Sequence, residues 1–171
     1  MSPRHYRPPT KCHSPAVNPS IILPRETLLM KTVQTIIELF GGMAKLRDNP
    51  IKIDVEGFMP LAIEHIGTGP RGMPLISVMH FYEQHGDIMR DPDLGLEIDQ
   101  EGTWHPISYR QDSLGMIQEA VFRDAETGEV KTRPKLVRDL KRFMKLWDQN
   151  LHNQGFLDKA REMTGNEPPD E

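Results

Sequence analysis

Cysteine is nearly absent from the 171 residues: Cys12 is the one thiol, so no intramolecular disulfide framework can form and the composition fits a reducing compartment. Long apolar runs are missing too. No stretch approaches the roughly 20 residues that span a bilayer, and the N-terminus has no signal-peptide core, so the expected location is the cytoplasm, with no membrane partner. The net charge of −4 exerts no overall pull toward nucleic acid. The glycine-rich loop Gly67-Thr68-Gly69-Pro70-Arg71-Gly72 lacks the Lys-Ser or Lys-Thr of a phosphate-binding P-loop and runs into a strand instead of a helix. No serine or cysteine sits in a nucleophile-elbow setting, which disfavours covalent hydrolysis. There is no internal repeat, and no cofactor or metal is expected.

What is present is a chain of ordinary single-domain length with a soluble, globular composition and uneven charge. Residues 83–101 hold seven acids against Arg90, whereas residues 133–147 hold six bases against Asp139. Residues 1–24 carry six prolines among Arg, Lys, His and Ser and are expected to be a disordered leader. A single α+β domain is expected over 25–164, followed by a disordered acidic tail over 165–171.

Within that domain, Leu29, Val33, Ile36, Ile37 and Phe40 follow helical spacing from Glu26 to Phe40, with Gly41-Gly42 as a stop. One or two further helical turns, Met43 to Arg47, end at Asn49-Pro50. The middle of the chain reads as one antiparallel sheet of about five or six strands. Ile51–Val55, Phe58–Ile66, Leu75–Glu83, Leu94–Asp99, Trp104–Tyr109 and Met116–Phe122 are the expected strands, separated by Gly, Pro and Asp. Asp91-Pro92-Asp93 reads as a turn. Thr132-Arg133-Pro134 opens a helix whose stripe runs through Leu136, Val137, Leu140, Phe143, Met144, Trp147 and Leu151 to a stop at Gly155, with a short amphipathic stretch after it. N-terminal and C-terminal helices flanking a meandering sheet make an α+β fold.

Polar residues concentrate in the sheet region, where burial would make them conspicuous. The expected binding surface comprises the acidic segment Asp87, Asp91 and Asp93 with the stretch Tyr109-Arg110-Gln111-Asp112 and Gln118-Glu119. Arg71 at its loop tip is added as an anion contact, and His80 and His105 as strand histidines able to meet a carboxylate. A hydrolase alternative joins Pro92-Asp93 to Glu129-Val130-Lys131, a short acid-x-Lys pattern in which carboxylates hold a metal and the lysine orients water. Asp139-Leu140-Lys141 fits the same triplet, so the pattern has little specificity. A nucleic-acid alternative uses Lys135, Arg138, Lys141, Arg142 and Lys145, although Asp139 and Asp148 interleave and no aromatic lies among those bases.

The strings MKTVQTIIELFGGMAKLRDNPIKI, PLAIEHIGTGPRGMPLISVMHFYEQHGDIMRDPDLGLEID, WHPISYRQDSLGMIQEAVF and RPKLVRDLKRFMKLWDQNLHNQGF resemble, in that order, an uncharacterised bacterial domain-of-unknown-function family. That family is met on plasmids, conjugative elements and phages of Firmicutes. The resemblance covers roughly residues 30–156. It implies a mobile-element setting and a biological start at Met30, and no activity, cofactor or catalytic residue. The resulting expectation is a non-catalytic accessory domain that binds a macromolecule, a protein in preference to a nucleic acid.

Overall fold

The computed structural model describes residues 30–166. The expected leader, the first residues of the expected N-terminal helix and the last residues of the acidic tail lie outside them. The fold is α+β: a six-stranded antiparallel sheet and a small two-stranded one, with helices from both ends of the chain. Two helices open it, α1 (Lys31–Leu39) and α2 (Gly42–Leu46), separated by Phe40 and Gly41, the latter left-handed at φ 99°. The large sheet follows in a simple meander: β1 (Ile51–Ile53), β2 (Leu61–Thr68), β3 (Pro74–Gln84), β4 (Asp87–Ile98), β5 (Trp104–Gln111) and β6 (Met116–Glu119). The hairpin β7 (Val121–Arg123) and β8 (Val130–Thr132) forms the second sheet, and α3 (Pro134–Asn153) and α4 (Phe156–Thr164) close the chain. None of the described helices is long and apolar enough to cross a membrane.

Period-two alternation sends every second strand residue to one face. Leu61, Ile63, Ile76, Val78, Leu94 and Leu96 lie on that face with no exposed surface, paired across the ladder as Ile63–Val78, Val78–Leu94 and Ile76–Leu96. Helices supply the opposing layer through Val33, Ile36, Met144, Leu151 and Phe156, also fully buried. Each such side chain contributes about 1.5–3 kcal/mol by leaving water, so this seam holds the fold together. The described helices cover one face only.

Asp148 joins the two ends of the chain. Helix α1 has no acidic residue in its first turn and no side chain of its own bonding its free N–H groups. The Asp148 carboxylate of α3 takes that role, accepting the Thr32 N–H at 3.0 Å and the Val33 N–H at 3.2 Å. Burial pushes the Asp148 pKa up, while those two N–H bonds pull it back. In the sequence Asp148 reads only as an acid interleaved with the bases of the last helix.

Three expected elements are corrected. Asp87 to Asp93, read as an acidic turn, is the first half of β4; the chain reverses at His85-Gly86, where φ is 54° and 88°. Proline tolerates a strand at a bulge, and the register here shifts between Met79 and Phe81: those two positions of β3 face Asp93 and Arg90 of β4. Met116 to Phe122 is two strands divided at Ala120, and the second pairs with Val130–Thr132, so Lys131 lies in a hairpin. Phe58 to Pro60 precedes β2, which starts at Leu61.

Candidate functional site on the open sheet face

The face turned away from the helices is closed at one end and open across its centre. At the closed end Glu97 points outward from β4 yet has no exposed surface, because the loop after β2 folds over it. The Arg71 backbone N–H donates to Glu97 Oε1 at 2.8 Å, and the Arg71 guanidinium reaches Oε2 at 3.5 Å. Gly69 makes this approach possible, since a Cβ there would stand 2.2 Å from Glu97 Oε1. The hairpin holds the loop from outside through Arg123, which donates to the Pro70 carbonyl at 2.6 Å. Arg71, expected to meet an external anion, meets this internal one.

Across the open centre lies a groove of about 360 Å³, with Ser77, Asp93, Ser108 and Arg110 among the residues that line it. The Ser77 hydroxyl donates to Asp93 Oδ1 at 2.6 Å, and Arg90 Nε stands 3.5 Å from Asp93 Oδ2. Strict alternation would put residues three apart on opposite faces. The bulge in β4 inserts one position and brings Arg90 and Asp93 to the same side. Arg110 Nε donates to Asp112 Oδ1 at 2.6 Å, and Asp112 Oδ2 accepts the Arg90 N–H at 2.9 Å. Burial raises the Asp93 pKa against the pull of the Ser77 bond and of the Arg90 and Arg110 charges. The Asp112 carboxyl is lowered, first by the Arg110 hydrogen bond and then by the Arg90 N–H. Gly95 leaves room for Ser108, whose Oγ would lie 2.4 Å from a Cβ at that position.

Around this polar floor the rim is apolar and acidic. Ile66 and Ile117 stand 50% and 71% exposed beside Glu64 and Glu119. Toward β1 a second depression of about 340 Å³ is lined by Ala62, Met79, Phe81 and Ile88, with the Lys52 ammonium 5.5 Å above the Phe81 ring.

The sequence-expected residues distribute over both faces. Asp93 and Glu119 line the groove and Asp112 braces it through Arg110. Tyr109, Gln111 and Gln118 belong to the helix side: the Tyr109 ring meets Phe143 edge-on at 5.3 Å, its hydroxyl donates to Gln111 Oε1 at 2.8 Å, and Gln118 is its ladder partner. Asp91 also acts on that side, where its charge raises the Tyr109 pKa after burial has done so and opposes the burial that lowers His80. His80 itself is a core residue, 6% exposed, with its ring 5.5 Å from Trp147 and 5.4 Å from Phe156 and its Nδ1 3.1 Å from the Pro60 carbonyl. Asp87 stands exposed where β4 begins. His105 pairs with Asp99 at 2.8 Å, near the other end of β4, and that bond is the main reason the Asp99 pKa is lowered. Ser77, Arg90 and Ser108 were not singled out from the sequence, because an isolated serine or arginine in a strand carries no pattern that points to a site.

The residues of the hydrolase reading engage separate partners. Asp93 bonds Ser77, Lys131 pairs with Asp124, and Glu129 is exposed in the hairpin. The Lys131 hydrogen bond and the N–H groups of Thr127 and Glu126 hold Asp124 down at about 2. Among the described residues no three His, Cys, Asp or Glu side chains are placed to hold one metal ion. On α3, Lys135 and Arg142 flank Asp139 at 3.0 and 3.1 Å, while Arg138, Lys141 and Lys145 are exposed.

Residues 31–157, from α1 into α4, match a domain of unknown function, DUF6908. The chain belongs to the DUF6908 family. The matched span starts within one residue of Met30 and ends one beyond Phe156, the limits expected from the sequence strings. No curated protein and no solved structure matches the chain.

Proposed function

We propose that this member of the DUF6908 family is a non-catalytic binding domain that uses its open sheet face to hold a protein partner. The observation that carries this is the asymmetry of the sheet. Its uncovered face exposes Ile66 and Ile117 around a groove whose Ser77, Asp93 and Arg110 are already ordered by hydrogen bonds. Exposed apolar residues around a pre-ordered polar centre suit recognition of another protein, because the groups to be buried are held in place before contact and little side-chain freedom is lost. The Ser77 hydroxyl meets only the Asp93 carboxylate, which is also held by Arg90, and no histidine, cysteine or lysine lines the groove among the described residues, which favours binding over turnover. The sequence resemblance to a family carried on plasmids, conjugative elements and phages supports an accessory role on a mobile element, acting in the cytoplasm.

The test is capture from extract of the source cells by the full chain and by two variants. Arg110→Glu should lose the retained protein, whereas Lys141→Glu and nuclease treatment should leave it bound. Loss on nuclease treatment or with Lys141→Glu moves the interface to the basic face of α3, and no retained protein at all overturns the reading.

A further inference from the structure

The two edges of the large sheet differ in how they are protected. Strand β1 has three residues, follows Pro50, carries Lys52 at its centre and is packed by α4, all devices that deter further strand pairing. Strand β6 contains no lysine, proline or bulge, and Ile117 in its centre is 71% exposed.

Hydrogen-bond phase shows which backbone groups of β6 are available. Antiparallel pairing alternates residue pairs that exchange both bonds with pairs that exchange none. The Ala120 N–H bonds the Ile107 carbonyl at 2.7 Å, so the pairs two and four residues along, Tyr109–Gln118 and Gln111–Met116, are the bonded ones. Ile117 and Glu119 therefore direct their N–H and C=O groups away from β5. The Arg133 guanidinium reaches the Glu119 carbonyl from that outer side, as this phase requires. It also ends the open edge there, leaving both backbone groups of Ile117 and the N–H of Glu119 without a backbone partner among the described residues.

The side chains select what can add. Ile117 and Glu119 share the open face, since they pair with Arg110 and Ser108 of β5. The Glu119 carboxylate has no ion-pair partner among the described residues. A strand laid antiparallel beside β6 places one residue opposite Glu119 and another, two positions later in its own sequence, opposite Ile117. We propose that β6 is the docking edge for an extended segment of a partner protein that reads Lys or Arg, any residue, then an apolar residue, its backbone bonding Ile117 and its cation meeting Glu119. A second copy of the chain is the poorer occupant, because β6 paired with itself in either register centred on Ile117 or Gln118 puts Gly115 or Ile117 opposite Glu119 and no cation. This inference rests on the binding reading above and names the partner's local chemistry.

The experiment is a titration of the isotope-labelled full chain, followed by backbone amide resonances. The probes are the heptapeptide Ser-Thr-Lys-Thr-Ile-Thr-Ser and its counterpart with Glu in place of Lys. The lysine peptide should shift the Ile117 and Glu119 amides first and bind roughly two- to fivefold more tightly than the glutamate peptide, the worth of one cross-strand charge pair. Glu119→Lys should invert that preference, a change that loss of fold cannot produce. Ile117→Pro removes an N–H that β5 does not use, so the chain should melt near the wild-type temperature while peptide binding weakens at least about tenfold. No perturbation at millimolar peptide, equal binding of the two peptides, or a preference unchanged by Glu119→Lys overturns the proposal. In the capture experiment, a partner kept equally by wild type and Ile117→Pro overturns the edge while the binding reading stands; an absent partner removes the binding reading itself.

Discussion

The two faces of the sheet are built from the same strands and serve different ends. On the helix side, Leu61, Ile63, Ile76, Val78, Leu94 and Leu96 lose all contact with solvent. On the other side their immediate neighbours are Ala62, Glu64, Ser77, Asp93 and Gly95, of which Ser77 and Asp93 are hydrogen-bonded to each other and Glu64 lines the rim of the groove. The difference teaches that stability is concentrated in one layer. The open face is spared a structural load and can carry polar groups that recognise something else.

Substitutions on the two faces should break this comparison or sharpen it. The largest effect belongs to the covered face: Leu94→Ala leaves a cavity in the central strand and should destabilise the chain by about 2–5 kcal/mol in denaturant unfolding. Its open-face counterpart Ser108→Ala should stay within about 1 kcal/mol, and similar losses from both would erase the distinction. Next is Asp148→Ala, which strips two charge-assisted bonds from the start of α1 and should lower stability by about 1.5–3 kcal/mol, with Asp148→Asn recovering part of it. If Asp148→Ala were neutral, the link between α3 and α1 would count for nothing.

Titration separates the faces by sign. His80 on the covered face has its pKa lowered from 6.5 by burial, so the unfolded chain binds that proton more readily; stability is lost as pH falls from about 6.5 through the lower folded value. Asp93 on the open face has its pKa raised from 3.8 by burial, so the folded chain holds the proton longer; its contribution to stability declines as pH rises from 3.8 through the folded value. Melting temperature against pH should flatten in the upper window for His80→Gln and in the lower one for Asp93→Asn, and a His80→Gln curve parallel to wild type would place that imidazole in water. The smallest effect is Lys135→Ala on α3. Its exposed pair with Asp139 is screened by solvent, so no change in melting temperature beyond measurement error is expected.

Much of the fold was legible because it rests on local periodicity. Leu94, Leu96 and Ile98 alternate cleanly, and the stripe from Leu140 to Leu151 repeats at helical spacing, so both elements stand close to where the pattern placed them. The candidate groove was legible only in fragments. Asp-Pro-Asp reads as a turn in any single sequence, and only its pairing with β3 turns it into a bulged strand that brings Arg90 beside Asp93. Tyr109, Gln111 and Gln118 group with Asp93 in the sequence as polar residues of loops and sheet edges, whereas strand alternation sends them to the opposite face.

The sequence by itself determined the α+β class, the meander and the amphipathic helices, because each follows from the spacing of apolar residues over a few turns or a few pleats. The tertiary structure alone decided that His80 is a core residue, that Asp148 caps a helix 115 residues away, that Glu97 is sealed under Gly69, and that among the described residues one sheet face and the β6 edge stay open. Those outcomes depend on which distant segment arrives as a neighbour. Solvent exclusion and hydrogen-bond partnership are set by that neighbour, not by the residues adjacent in the chain.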